Sequence, residues 1–363
     1  MNVLLRDGYR TFFPWSAALG AALLGWWGAA WAGATPLPMD PKVHGAAMIY
    51  GVFGAAILGF ILTAYPRQNE ASPPSPAHIL GMLLAHAACV VAILPFGAAL
   101  PTGLRAVLAA SPWALALVWA APIAWTSLGR RWDGTTAGVP AGLLAGAAGA
   151  ATFASGNLDL SLRLAIHGFA IFLLLVVLDR VLPFFSSRAV PNYAGRRLGG
   201  FAAALGSAAV LRIALPDLRI LGDLALAALI ARQWWGWAPW PASRVPMIGV
   251  IHLGILWILL GYAVDAAGVG PASLAAHCWL LGGVSTVWAG FTIRVTRGHG
   301  GLPIRMGWDG ATILGLIQIA ALVRVAAGLA GGSPLAYAIA ALSAAAALLV
   351  WLGRVGPLVV RGA

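Results

Sequence analysis

Seven histidines, His44, His78, His86, His167, His252, His277 and His299, stand in a chain of 363 residues that is 61% hydrophobic and 9% charged. Imidazole ligates iron, copper and zinc, and two imidazoles from facing helices can form the axial pair of a b-type heme. Mean hydropathy is +0.89, so the chain reads as an integral membrane protein. In such a protein titratable groups within spans are costly and usually functional. Three of the histidines, His44, His167 and His277, fall near the start of a hydrophobic stretch. Asp40-Pro41 reads as an N-cap followed by the first helical position, which puts His44 in the first turn. A start near Asp159 or Ser161 puts His167 within about two turns, and a start at Pro271 puts His277 at a similar depth. Three imidazoles at one depth, on helices running the same way, are expected to cluster toward the outer face as a metal or heme site. No Cys-x-x-Cys-His is present, so any heme is held without the usual covalent attachment.

Other polar side chains extend this reading. Arg324 lies within the eleventh hydrophobic stretch and cannot lose its charge, so it needs a partner. A heme propionate would serve, and so would Asp265 or Asp223. A second group is expected on the inner side: His252, and Arg294 and Arg297 with His299 beside the turn Gly300-Gly301. Two arginines and a histidine at a glycine turn suit an anion such as a phosphate or propionate; a solvated basic loop is the alternative. His86, mid-span and isolated, reads as a core hydrogen-bonding residue, and His78 as solvated beside the polar loop 66–78. Asp179 needs a partner other than its neighbour Arg180, since adjacent residues do not face each other on a helix. Carboxylates number ten, with Glu70 the sole glutamate, which counts against an ordinary proton-driven carrier. Cys89 and Cys278 give neither a disulfide framework nor paired ligand spacing.

The elements that must position these groups follow from length. A spanning helix needs about 20 apolar residues. Spans are expected at 12–33, 42–65, 77–100, 106–127, 136–155, 161–182, 198–215, 218–237, 246–264, 271–293, 309–330 and 334–353. The expected fold is therefore an all-α polytopic transmembrane bundle of about twelve spans, a single integral membrane domain over 1–363. The polar segment 185–197 divides it into halves, 1–185 and 197–363, of six spans each. Each half opens with a basic segment and carries a later span opening with a histidine, the pattern of a parallel duplication. With both termini inside, Arg6, Arg10, Arg67, Arg130, Arg131, Arg188, Arg196, Arg197, Arg232, Arg244, Arg294, Arg297, Arg305, Arg354 and Arg361 face the cytoplasm. Only Lys42, Arg105, Arg163, Arg212 and Arg219 lie outside, as the positive-inside rule requires. This asymmetry accounts for the net charge of +12 without a nucleic-acid partner. Gly142 and Gly146 form a GxxxG, and Gly51/Gly54 and Gly282/Gly283 add small faces for close helix packing. Trp26, Trp27, Trp31, Trp113, Trp234, Trp235 and Trp237 read as an interfacial belt.

Several segments, in order, resemble the NnrS family of bacterial membrane proteins. Gly8-Tyr9-Arg10-Thr11-Phe12-Phe13 is similar to the family's Gly-Phe-Arg-Pro-Phe-Phe. Met48-Ile49-Tyr50-Gly51 and Gly59-Phe60-Ile61-Leu62-Thr63-Ala64-Tyr65-Pro66 resemble its second span. Arg180-Val181-Leu182-Pro183-Phe184-Phe185 resembles its Arg-Val-Ile-Pro-Phe-Phe, and Ile251-His252-Leu253-Gly254 its Leu-His-Ile stretch. The run from His277 to Thr296-Arg297-Gly298-His299-Gly300-Gly301-Leu302-Pro303 is similar to its histidine followed by Met-Thr-Arg-x-x-Leu-Gly-His-Thr-Gly-Arg-Pro-Leu. One departure stands out. The family's second span opens His-Ala-His-Glu-Met, whereas here it reads His44-Gly45-Ala46-Ala47-Met48.

The resemblance implies a heme- and copper-associated protein of the bacterial inner membrane that takes part in nitric oxide metabolism or protection from nitrosative stress. With the second histidine and the glutamate replaced by alanine, it implies a reduced metal complement, heme without copper. Joined to the histidine pattern, the expectation is a b-type heme held by a pair from His44, His167 and His277, with an arginine such as Arg324 on a propionate. A five-coordinate heme would bind nitric oxide or another diatomic; a bis-histidine heme would exchange electrons with a partner. The rivals are a cofactor-free transporter of an anion or metal ion and a membrane assembly protein.

Overall fold

The computed structural model describes residues 3–35, 40–130 and 132–360. Two of the basic residues counted above, Arg131 and Arg361, lie outside the described residues. Every regular element among the described residues is helical. In chain order the long ones are α1 (Gly8–Trp31), α2 (Pro41–Gln68), α3 (Pro76–Ile93), α4 (Thr102–Leu128), α5 (Gly134–Ala154) and α6 (Leu158–Ala189). There follow α7 (Phe201–Ala214), α8 (Arg219–Gly236), α9 (Pro246–Ala266), α10 (Ala272–His299), α11 (Trp308–Leu329) and α12 (Pro334–Arg354). Each expected span overlaps one of these helices. Among the described residues nine are long and apolar enough to cross a membrane. The exceptions are α1, rich in Trp and Gly; α7, with 14 residues; and α8, which carries Arg219, Asp223 and Arg232. The chain is thus a multi-pass helical membrane protein with at least these nine candidate spans among its described residues.

Local chemistry explains the helix starts. The Asp40 carboxylate accepts from the amides of Lys42 (2.6 Å) and Val43 (3.4 Å), with Pro41 in the first turn. Asn157 caps α6 through the Leu160 amide (3.2 Å), so the helix starts at Leu158, just before the expected Asp159 or Ser161. His44, His167 and His277 therefore lie three, nine and five residues past their helix starts, so His167 is the deepest.

Three helices depart from regular α geometry in the same way. In α2, α6 and α10 six α-helical residues lead into a seven-residue π-helical turn: Ala47–Phe53, Leu164–Ala170 and Cys278–Val284. The turns begin at residues 47, 164 and 278, hence 117 and 114 residues apart. They fall in the second, sixth and tenth of the twelve helices. In each run of four, the third and fourth helices pack as a hairpin: α3 with α4, α7 with α8, α11 with α12. The repetition visible in the elements is therefore one of four helices.

By packing, the described chain forms two compact units, one from 3–19 with 40–176 and one from 20–35 with 177–360. In the first, a glycine stripe brings α5 onto α6. A Cβ at Gly138 would lie 2.7 Å from Val176, and one at Gly146 would lie 2.7 Å from Phe169. The π turns of α2 and α6 meet in an aromatic core, with the rings of Tyr50 and Phe169 stacked at 6.0 Å and Trp113 4.7 Å from Phe169. Trp113 is thus a core residue with no exposed surface, not part of an interfacial belt. In the second unit α9 lies against α10 with backbone nearly in contact. A Cβ on Gly254 would meet the Gly283 carbonyl at 2.8 Å and a Val287 methyl at 2.6 Å. A carbonyl inside a helix cannot swing away, so Gly254→Ala is expected to destabilise by about 1–3 kcal/mol. The check is the unfolding midpoint in detergent against Gly25→Ala, whose new methyl would meet nothing within 4 Å.

Candidate functional site

In the first unit the starts of α2 and α6 lie side by side. Lys42 pairs with Asp159 at 3.0 Å, and the Tyr50 hydroxyl donates to the Ser161 carbonyl at 3.3 Å. His44, half-buried, and His167, 3% exposed, belong to this unit and to this end of it. His277 belongs to the second unit. Among the described residues no group of three or more His, Cys, Asp or Glu side chains is placed to hold a metal ion.

His86 has a structural task. The Trp15 indole N–H donates to its Nδ1 at 3.0 Å, so the ring proton sits on Nε2, which donates to the Tyr50 carbonyl at 3.0 Å. The Ser16 hydroxyl donates to the Val52 carbonyl at 2.7 Å. Both carbonyls lie in the π turn of α2, where the widened backbone offers acceptors to side chains. With both nitrogens engaged, His86 has no lone pair left for a metal. His86→Ala should strand the Tyr50 carbonyl and lower stability by about 1–3 kcal/mol, read as a lower unfolding midpoint. It should leave any bound chromophore unchanged.

In the second unit, His277 donates from Nδ1 to the Ser273 carbonyl one turn back, at 2.6 Å. That bond fixes the ring and leaves the Nε2 lone pair outward. Arg324 reaches the same turn: its Nη2 donates to the Ser273 hydroxyl at 3.1 Å, and its guanidinium lies 4.4 Å over the Tyr337 ring. Its Nη1 is sealed from solvent without an acceptor. Neither carboxylate expected for Arg324 is its partner. Asp223 and Asp265 instead hold Arg212, at 2.5 and 2.7 Å, and Asp265 also holds Arg219 at 2.7 Å. This quartet joins α7, α8 and α9, with Asp223 fully buried.

The residues of the inner group have different surroundings. Arg297 is neutralised by Asp309 at 2.8 Å, and His299 is exposed at the end of α10 before the Gly301 turn, whose φ is +65°. Arg294 is 7% exposed and lies on the Phe185 ring. His252 is 1% exposed, with neither nitrogen hydrogen-bonded and its ring edge-on to Trp234 at 6.4 Å. Asp179 finds its partner in Arg197 at 3.0 Å. His78 is not solvated: it is half-buried against Trp119 at 5.8 Å, its Nε2 sealed. Sequence reasoning missed Trp15, Ser16 and Ser273, whose donors and acceptors meet distant groups only on folding.

The family model described as "NnrS protein" matches residues 3–362, nearly the whole chain. No curated protein matches it.

Proposed function

Because the chain belongs to the NnrS family, whose members are linked to the response to nitric oxide, we propose that it is a heme-binding membrane protein of that response. The observation that carries this reading is His277. Its Nδ1–H is anchored on a carbonyl and its Nε2 is free, the state an axial ligand needs. The unpaired Nη1 of Arg324, which reaches the same turn of α10 from α11, suits a propionate. His277 would hold the iron, Ser273 orients the ring, and Arg324 balances a carboxylate in a site of low polarity. His44 and His167 are further candidate ligands. When bound, the heme supplies a centre for electron transfer or for a diatomic such as nitric oxide. The residues of α2 do not fit the family's copper motif, because Ala46 and Ala47 replace its second histidine and glutamate, so we derive no step through copper. The distribution of arginine supports a bacterial inner membrane location with both termini cytoplasmic.

The test is an absorption spectrum of the detergent-purified protein, oxidised and then dithionite-reduced, with iron analysis. A Soret band with about one iron per chain is expected, and nitric oxide added to the reduced form reads whether a coordination position is open. A colourless, iron-free preparation from heme-replete cells would discard the reading in favour of a transporter or an assembly protein.

A further inference from the structure

Arg294 is a buried cation without an anion. Its side chain is 7% exposed, and its Cζ lies 4.0 Å from the centroid of Phe185, which packs on Phe291 at 5.8 Å. Its Nε has no acceptor, and no carboxylate pairs with it among the described residues. Other arginines of the same unit are balanced: Arg197 by Asp179, Arg212 by Asp223 and Asp265, Arg297 by Asp309. A guanidinium does not deprotonate to escape burial, and an uncompensated buried charge is costly. Stacking on Phe185 occupies one face of the guanidinium plane, while its N–H groups lie in that plane and point outward at the edges. Such an edge matches two oxygens of one oxyanion. Because Asp309 cancels the neighbouring Arg297, one positive charge is left over.

We propose that Arg294, held on Phe185, is the anchor of a bound monoanionic oxyanion, a phosphodiester or a carboxylate, near the C-terminal end of α10. Arg294 lies 17 residues beyond His277 on that helix, about 25 Å at 1.5 Å per residue. The site is therefore separate from the proposed heme ligand and does not depend on it. Two sources offer this chemistry: the phosphodiester of a membrane lipid and the carboxylate of a bound cofactor.

Native mass spectrometry, with phosphorus and heme determined per chain after exhaustive detergent exchange, tests the site. Wild type, Arg294→Gln, Arg294→Lys and, as a control, the exposed Arg354→Gln are compared. Retained lipid phosphorus lower by roughly tenfold or more in Arg294→Gln, and unchanged in Arg354→Gln, identifies a lipid phosphodiester. Unchanged phosphorus with loss of a carboxylate-bearing ligand mass other than heme identifies a cofactor carboxylate. Arg294→Lys keeps the charge but not the fork, and is expected to lose most of the retention. If Arg294→Gln does not fold, Arg294→Lys carries the comparison together with stripped wild type. Phosphatidylglycerol should raise the unfolding temperature of the stripped protein, and diacylglycerol should not. Equal phosphorus and equal bound-ligand mass in wild type and both Arg294 variants would overturn the proposal.

Discussion

Alanine in place of His277 is expected to strip the protein of most of its heme, by about tenfold or more in the heme-to-protein ratio. The reason lies in the hydrogen bond to the Ser273 carbonyl at 2.6 Å. It sets the tautomer and ring angle before any ligand arrives, so the free Nε2 pays little entropy on binding. Free imidazole added to His277→Ala should restore the spectrum, an effect that repair of a merely structural defect would not produce. His86→Ala, made in parallel, should keep its heme, because both nitrogens of His86 are already engaged by Trp15 and Tyr50. A His277→Ala protein with a full Soret band and unchanged spin state would remove His277 from the ligand set and shift attention to His44 and His167.

The second large effect is expected at Asp223. This fully buried carboxylate accepts from Arg212 Nε at 2.5 Å, and Arg212 in turn reaches Asp265 at 2.7 Å. Removing one partner of a buried ion pair leaves the other charge stranded, at about 3–5 kcal/mol. Asp223→Ala should therefore fail to accumulate or should unfold at a markedly lower temperature in detergent. Asp223→Asn keeps an acceptor near Arg212 and should lose less. The double variant Arg212→Met with Asp223→Leu removes both charges and should recover much of the loss, while Arg219 still holds Asp265. Equal stability of Asp223→Ala and wild type would show that the quartet contributes nothing to folding.

Much of the frame was legible in the chain. Runs of about 20 apolar residues announce helices because the bilayer forces every backbone polar group to bond within its own segment. Asp40-Pro41 marked the start of α2 because capping is a local act between neighbours. The ordered motifs from Gly8 to Pro303 pointed to the family, which the match over residues 3–362 bears out. Partners were a different matter. The sequence offers Arg324 a heme propionate, Asp223 or Asp265, yet Arg212 and Arg219 take both aspartates. Which charges meet depends on the rotation of each helix about its axis, and apolar composition on every face leaves that rotation unmarked.

The sequence by itself determined the membrane class, the helix positions, the family and the histidines as the groups to examine. Only the tertiary structure decided the π turns of α2, α6 and α10, their spacing of 117 and 114 residues, and the separate task of His86. The physical reason is range. A helix and its cap are specified within a few residues, but the carbonyls of the α2 π turn are satisfied by His86 and Ser16, each 36 residues away. Such bonds exist only after the helices have packed.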